Sequence, residues 1–251
     1  MEAYIGGITS VSYADWPGKR CMTIFMSGCD FKCPFCNVKN YLDFKQEHQT
    51  DLMLIKNSML ENKKFIDGVL FTGGEPSLQR QAVLILARMA KQNGLLVGIE
   101  TNGAKPETLK SLMLENLVDF IAVDVKCPIG LEIEEVTKSK TFFRSTEKLL
   151  ASIKDTLKYL EEIQNKVQIE IRTTIVPTLV YTKEDLLKIA EAIKYIKCTW
   201  VLQQFRNNVP LVDEKYNPIE PPSKEFLENM AEMMKKQWPG LNIAVRVQNV
   251  D

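Results

Sequence analysis

Three of the six cysteines lie within the short segment Gly28–Cys36. Thiolates at the spacing of Cys29, Cys33 and Cys36 can converge on one metal centre. A structural zinc site normally closes with four ligands, and the fourth would have to come from a distant cysteine or from His48. His48 lies in a polar stretch, where we expect an exposed imidazole. An iron–sulfur cluster held by three cysteines instead leaves one iron open, so the residues alone allow either metal.

The other three cysteines, Cys21, Cys127 and Cys198, stand singly inside apolar stretches. Free cysteine packs like a small hydrophobic residue. We therefore expect these three to be core residues rather than ligands.

A glycine-rich turn, Gly73-Gly74-Glu75-Pro76, follows the apolar segment Gly68–Thr72. Glycine permits positive φ and proline fixes the next turn, so a plain strand-ending turn would explain the segment. Glycine also lets a ligand approach the backbone closely, and the carboxylate of Glu75 could receive an ammonium group.

Two further polar segments end apolar runs: Glu100-Thr101-Asn102-Gly103 and Asp124-Val125-Lys126. Glu100 alternates with Gly98, so both should share one face of a strand. Asp124 and Lys126 are two residues apart and can pair on one side of a strand. A structural ion pair is the alternative to a functional role for this couple.

Arg172 shares a face of the segment Val167–Val176 with Glu170. An inward arginine is costly unless it is paired or meets a ligand. We expect Arg172 either to contact a cofactor or to pair with Glu170 or Glu100. Gln204, at the end of the next apolar segment, is a candidate contact to a nucleoside or a substrate.

Apolar segments rich in β-branched residues alternate with amphipathic ones. The predicted strands are Cys21–Ser27, Gly68–Thr72, Leu95–Thr101, Phe120–Val125, Val167–Val176, Thr199–Phe205 and a short one over Asn242–Val247. The predicted helices are Gln79–Asn93, Glu107–Glu115, Phe143–Glu162, Lys183–Lys194 and Ser223–Gln237. The TKED sequence at residues 182–185 resembles a capping sequence, with an acidic residue at the third helical position.

This alternation predicts an α/β fold of parallel strands joined by right-handed crossovers. The first residues form an N-terminal hairpin extension, with a strand over Ile5–Val11 and a turn at Asp15–Gly18. Only about six β/α units remain, which favours a partial (β/α)6 barrel over a closed eight-fold one. No linker composition divides the chain, so residues 1–251 are predicted to form a single domain. Chemistry in such sheets gathers at the carboxyl ends of the strands, where the polar segments lie.

Lysine plus arginine balances aspartate plus glutamate at 32 each, so the formal net charge is zero. No global field would attract nucleic acid or an anionic membrane. The chain starts without a signal-peptide pattern, and its apolar runs are too short to span a bilayer. We expect a cytoplasmic protein with neither membrane nor nucleic-acid partners.

Together these motifs strongly resemble the radical S-adenosylmethionine superfamily. The resemblance rests on the C-x3-C-x2-C loop after the first strand, the aromatic Phe35 before its last cysteine, and the GGEP, ETNG and DVK segments. It implies a [4Fe-4S] cluster on Cys29, Cys33 and Cys36, whose open iron binds S-adenosylmethionine. Reductive cleavage of that cofactor would yield a 5′-deoxyadenosyl radical, which abstracts hydrogen from a substrate.

The resemblance also implies roles for the strand-end residues. Gly73, Gly74 and Glu75 would receive the amino group of the cofactor, and the region of Glu100, Thr101 and Asn102 would contact its ribose. In some activating enzymes this second region helps to bind a monovalent cation, which is a further candidate cofactor. Lys126 would meet the cofactor carboxylate while Asp124 orders the site. The cofactor-binding candidates are thus Phe35, Gly73, Gly74, Glu75, Glu100, Thr101, Asn102, Asp124, Lys126, Arg172 and Gln204.

Within the superfamily, the opening Gly6–Lys19 and the run of motifs through Gln203-Gln204-Phe205-Arg206 resemble the anaerobic ribonucleotide reductase activating proteins. In that family the substrate is a glycine Cα–H of the large reductase subunit, a glycyl radical enzyme. A flavodoxin- or ferredoxin-type protein would supply the electron. One alternative is a radical enzyme acting on a small molecule such as a deazapurine precursor. Another is a non-catalytic zinc or iron–sulfur module. No second cysteine cluster follows Cys36, which argues against members with auxiliary clusters.

Overall fold

The computed structural model describes residues 1–139 and 145–247, which contain nine strands and seven α-helices. The strands are β1 (Glu2–Ser12), β2 (Cys21–Met26), β3 (Gln49–Asp51), β4 (Gly68–Gly73), β5 (Leu96–Thr101), β6 (Phe120–Asp124), β7 (Gln168–Ile175), β8 (Thr199–Gln204) and β9 (Asn242–Arg246). The helices are α1 (Leu52–Asn62), α2 (Arg80–Gln92), α3 (Pro106–Leu114), α4 (Ile133–Thr137), α5 (Thr146–Ile163), α6 (Lys183–Ile193) and α7 (Lys224–Gln237).

All seven strands predicted after the N-terminal region are present, and no end is shifted by more than one residue. The five predicted helices correspond to α2, α3, α5, α6 and α7. Phe143 and Arg144, at the start of one predicted helix, lie outside the described residues. The strand β3 and the helices α1 and α4 were not predicted.

Local capping explains where several helices begin. Thr182 and Asp185 form a reciprocal capping box at the start of α6, as the TKED sequence suggested. The hydroxyl of Ser223 accepts from the amide of Phe226 to begin α7. Gly94, with φ of +72°, follows α2 in the left-handed conformation that favours glycine.

The chain divides into two compact units. The first unit comprises residues 1–30, 40–101 and 105–122, and the second comprises residues 31–39, 102–104 and the chain from 123 onward. The description as a single domain therefore stays a prediction.

In the first unit the strand order is β3-β1-β2-β4-β5. β1 runs antiparallel to both β2 and β3, whereas β2 pairs parallel with β4, and β4 with β5. The predicted N-terminal hairpin is thus present, and its second arm is the first of the parallel strands.

The turn of this hairpin inserts a tryptophan into the core of the first unit. Trp16 is 1% exposed and stacks on Phe120, with ring centroids 5.2 Å apart. It packs in one cluster with Cys21 and Leu70. A Cβ on Gly98 would lie 3.1 Å from the Trp16 ring, so the absence of a side chain there makes room for the indole.

In the second unit β7, β8 and β9 pair in parallel, in that order. Just after β6, the amide of Val125 donates to the carbonyl of Arg172 on β7 at 2.9 Å. No helix among residues 1–139 and 145–247 is long and apolar enough to cross a membrane.

Candidate active site

In the first unit, Cys29 begins the loop that leaves the end of β2. The amide of Cys29 donates to the carbonyl of Leu42 at 2.9 Å, and that of Gly28 donates to the carbonyl of Tyr41 at 2.8 Å. Gly28 has φ of +90° and lies under the ring of Phe44, where a Cβ would come within 2.2 Å of a ring carbon. Glycine is therefore required at the point where the chain turns into the cysteine segment.

The GGEP turn crosses directly over this connection. The amide of Gly74 donates to the carbonyl of Met26 at 2.8 Å, and that of Glu75 donates to the carbonyl of Gly28 at 2.7 Å. Gly73 has φ of +112°, and a Cβ on Gly74 would lie 2.3 Å from the Gly28 oxygen. Both glycines are needed for this close backbone approach, whatever ligand the turn receives.

Glu75 is fully buried in the first unit. Its Oε1 accepts from the amide of Ser77 at 3.0 Å and from the hydroxyl of Thr101 at 2.7 Å. The carboxylate therefore caps the short 3₁₀ turn Pro76–Gln79 and links the ends of β4 and β5. This geometry holds the carboxylate in a fixed position, and its contact with a cofactor amino group stays a prediction.

Glu100 lies at the same strand ends. Thr72, which was not singled out in the sequence, donates its hydroxyl to Glu100 Oε2 at 2.7 Å. The register pairs Leu70 with Gly98, so Thr72 and Glu100 follow them on the same face, as predicted for Gly98 and Glu100. Their place on neighbouring strands is the reason that a Thr can hold this carboxylate.

His48, the sole histidine, is not the exposed imidazole that the polar stretch predicted. Its side chain is 13% exposed, and its Nδ1 lies 2.7 Å from the hydroxyl of Ser27. Ser27 is fully buried just before the cysteine segment. His48 is shielded because the short strand β3, which follows it, pairs with β1. This pairing holds the histidine next to Ser27 within the first unit.

The second unit holds the rest of the cysteine loop. The amide of Cys36 donates to the carbonyl of Cys33 at 3.0 Å, which forms a tight turn. The amide of Lys32 donates to Thr137 O at 2.8 Å, and Pro34 O accepts from the amide of Asp213 at 2.9 Å. Backbone bonds thus fix the loop from two sides within this unit.

The thiols of this loop sit in a desolvated environment. Burial raises the pKa of Cys33 to about 12, although the positive charge of Lys126 acts in the opposite direction. Burial also raises the pKa of Cys36. For Lys126 burial lowers the pKa, but Asp124 and the two thiols together raise it above its usual range. Metal binding would have to displace the thiol protons, and Lys126 provides a positive charge near the resulting thiolates.

The predicted pair Asp124–Lys126 is confirmed, with Lys126 Nζ 2.9 Å from Asp124 Oδ2. Both residues line a cleft of the second unit together with Asn102. The Oδ1 of Asn102 accepts from the amide of Ala104 at 2.9 Å, so the asparagine also closes its own turn. Cys127 lines the same cleft, although it is 2% exposed and was predicted only as a core residue.

The pair of Arg172 with Glu170 is also confirmed, and it has a third member. Arg172 Nε lies 2.5 Å from Glu170 Oε1, and both side chains are largely buried. Arg246 on β9 donates to both oxygens of Glu170 at 3.0 and 3.1 Å, and to Gln203 at 3.2 Å. The sequence did not indicate Arg246, because its contacts depend on the strand register, which pairs Arg246 with Gln203 on β8.

The two remaining candidates also lie in the second unit. Phe35 is 8% exposed, and the side-chain amide of Gln204 donates to the carbonyl of Pro222 at 2.8 Å. Contacts of these residues with a cofactor stay predictions.

The chemistry of the candidate metal ligands decides whether these residues could hold an iron–sulfur cluster. Within the described residues, no three His, Cys, Asp or Glu side chains already form a group that could hold a single ion. The three candidate ligands of the cysteine segment are thiols, which favour iron–sulfur clusters as well as zinc. The Ser27 bond engages one ring nitrogen of His48, the histidine considered as a fourth zinc ligand.

Comparison with known proteins decides between these metals. Residues 14–151, more than half of the chain, match the family described as the 4Fe-4S single cluster domain. A protein of Methanocaldococcus jannaschii that is named as a glycyl-radical enzyme activating enzyme is 32% identical over 249 residues, which cover 99% of this chain and 98% of that protein. The pyruvate formate-lyase-activating enzyme of Clostridium pasteurianum is 28% identical, with 77% of each chain covered. A 7-carboxy-7-deazaguanine synthase of Methanospirillum hungatei is 29% identical over 56% of this chain and 58% of its own.

Among solved structures, a radical S-adenosylmethionine methyltransferase from Sphaerobacter thermophilus matches with a TM-score of 0.68. The match covers 95% of this chain and 69% of that chain at 14% identity, so it shows the fold alone. It confirms the predicted fold class, an α/β partial barrel of the radical S-adenosylmethionine type. The family model and the sequence relatives show that the chain belongs to the 4Fe-4S single cluster domain family and is an enzyme of the glycyl-radical enzyme activating kind.

Proposed function

We propose that this enzyme uses S-adenosylmethionine and a [4Fe-4S] cluster to generate a glycyl radical on a partner enzyme. The observation that carries the proposal is the 32% identity, over 99% of the chain, to an enzyme named as a glycyl-radical enzyme activator. When bound and reduced by an electron-donor protein, the cluster and S-adenosylmethionine would supply the radical chemistry for hydrogen abstraction, through a 5′-deoxyadenosyl radical. The chain itself holds these groups, orients them and excludes water.

Cys29, Cys33 and Cys36 are the proposed cluster ligands. These three thiolates would hold the cluster, which would then be able to bind S-adenosylmethionine. The buried Cys33 and Cys36 lie near the positive charge of Lys126, which compensates part of the negative charge of the thiolates.

The proposed contacts to S-adenosylmethionine follow the strand ends. The glycine backbone of Gly73 and Gly74 permits close approach, and the fixed carboxylate of Glu75 suits an ammonium group. Glu100, Thr101 and Asn102 would contact the ribose, with a monovalent cation near Glu100. Lys126 would bind the carboxylate of the cofactor. The remaining proposed contacts are Phe35, Asp124, Arg172 and Gln204.

For the partner, we propose the large subunit of an anaerobic ribonucleotide reductase, whose glycine Cα–H would be the hydrogen donor. Support comes from the resemblance of the segments Gly6–Lys19 and Gln203–Arg206 to the activating proteins of that reductase. A flavodoxin or ferredoxin in the cytoplasm would deliver the electron.

Anaerobic reconstitution tests the cofactor assignment. We expect about four iron atoms per chain and a broad brown absorption. Reduction in the presence of S-adenosylmethionine should release 5′-deoxyadenosine. Cys33→Ala should abolish both signals, whereas Cys198→Ala, at a cysteine outside the segment, should leave them intact. A colourless protein that holds one zinc ion would contradict the assignment.

Electron paramagnetic resonance tests the partner. Incubation of the reduced enzyme with the large reductase subunit should produce a glycyl doublet. The similarity to a 7-carboxy-7-deazaguanine synthase supports a second candidate, a small deazapurine precursor as hydrogen donor. Release of 5′-deoxyadenosine that depends on such a precursor, without any protein radical, would favour that second function.

A further inference from the structure

The connection between β8 and α7 is a long loop, residues 205–222, which we call the clasp loop. It contains one short 3₁₀ turn, Glu214–Tyr216, and otherwise no regular structure. A loop of this length loses much conformational entropy when it is ordered, so specific interactions must hold it in place.

Two asparagine side chains tie the clasp loop across its width. The side-chain amide of Asn207 donates to the backbone carbonyls of Asn217 and Ile219 at 3.2 and 3.0 Å. In return the side-chain amide of Asn217 donates to the backbone carbonyls of Asn207 and Val209 at 3.1 and 2.9 Å. Each side chain thus uses its NH₂ group on the opposite arm of the loop.

The tip of the clasp loop contacts the cysteine loop within the second unit. The amide of Asp213 donates to the carbonyl of Pro34 at 2.9 Å, and that of Val212 donates to the carbonyl of Cys36 at 3.3 Å. Leu211, just before them, is fully buried. The tip is therefore anchored by packing, and its two donors reach the peptide segment that carries Cys33 and Cys36.

We propose that Asn207 and Asn217 are positioning residues for the iron–sulfur cluster. They hold the clasp loop in the shape that presents the amides of Val212 and Asp213 to the cysteine loop. This inference rests on the proposed assignment of the cluster to Cys33 and Cys36. Groups that orient metal ligands from outside the ligand set typically change metal affinity by about 10–100-fold when they are lost.

A purely local role for the two asparagines would stabilise the clasp loop and leave the cluster unaffected. The test must therefore read the cluster rather than the fold or the turnover. Asn217→Asp keeps the side-chain shape but replaces the donating NH₂ with an oxygen that faces two carbonyls. Asn208→Asp introduces the same charge at an exposed neighbour in the same loop and is the matched control.

The experiment measures the rate at which a chelator bleaches the reconstituted cluster under anaerobic conditions. We expect Asn217→Asp to lose its cluster about tenfold faster than wild type, with Asn208→Asp close to wild type. Equal rates for all three proteins would overturn the inference. Hydrogen exchange of the wild-type holoenzyme gives a second reading that needs no variant. Protected amides at Val212 and Asp213 support the inference, and exchange as fast as in an unstructured peptide overturns it.

Failure of this inference is distinguishable from failure of the proposed function. If Cys33→Ala still assembles the cluster, the ligand assignment itself is wrong. If Cys33→Ala abolishes the cluster while Asn217→Asp behaves like Asn208→Asp, only the positioning role of the two asparagines is lost.

Discussion

The hydroxyl of Thr101 donates a 2.7 Å hydrogen bond to the buried carboxylate of Glu75. This bond joins the end of β5 to the turn after β4, and the same oxygen also caps the turn through the amide of Ser77. Glu75 of the GGEP motif and Thr101 of the ETNG motif, which the sequence indicated separately, are therefore hydrogen-bonded partners in the first unit.

Thr101→Val should destabilise the enzyme, because it removes a donor from a buried acceptor without changing side-chain size. We expect the free energy of unfolding to fall by about 1–2 kcal/mol in urea titrations. Thr101→Ser, which keeps the hydroxyl, should lose clearly less stability. A Val variant as stable as wild type would show that the bond contributes nothing.

Gly74→Ala should be tolerated poorly, since its Cβ would lie 2.3 Å from the carbonyl oxygen of Gly28 and 2.6 Å from that of Tyr41. Both neighbours are backbone atoms that cannot rotate away. We expect a loss of about 1–3 kcal/mol and a lower melting temperature. Gly240→Ala is the matched control, because a Cβ there would meet nothing within 4 Å. Equal melting temperatures for the two variants would contradict the close approach of the GGEP turn.

Local patterns in the sequence were enough to predict most of the elements. The β/α alternation marked the parallel strands, and TKED marked the start of α6. The period of two in β7 put Glu170 and Arg172 on one face, where they pair. Each of these features depends on residues close together in the chain, so spacing alone reveals them.

Features that depend on register between strands were not predicted. Thr72 meets Glu100 from a neighbouring strand, and Arg246 meets Glu170 from β9, two strands away in the sheet order. The insertion of Trp16 depends on the absence of a side chain at Gly98, and no local pattern in the sequence reveals that the two residues meet. The helix α1 was missed because its opening Leu-Met-Leu-Ile run lacks helical periodicity, although Asp51 is a good N-cap.

Glu170→Gln should destabilise the second unit, because two guanidinium groups would lose the negative charge that they share. Arg172 is largely buried, and removal of one partner of a buried ion pair costs about 3 kcal/mol or more. Chemical denaturation of the variant checks this value. Glu161→Gln removes the same charge from an exposed position on α5 and should change stability by less than about 0.5 kcal/mol. A loss no larger than that of Glu161→Gln would show that the pair is not stabilising.

Cys198 predicts a pH dependence of stability in the alkaline range. Burial raises the pKa of its thiol to about 12, against 9.0 for the free group. Above pH 9 the unfolded chain therefore gives up this proton while the folded chain retains it, so the free energy of unfolding falls as pH rises towards 12. The slope from one such group reaches about 1.4 kcal/mol per pH unit. Cys198→Ala removes this contribution. Between pH 9 and pH 11 the free energy of unfolding should therefore fall more steeply with pH in the wild type than in the variant. Between pH 7 and pH 8 the two proteins should show the same dependence on pH. Parallel curves over the whole range, measured anaerobically by urea denaturation, would contradict a half-buried thiol that stays protonated at this position.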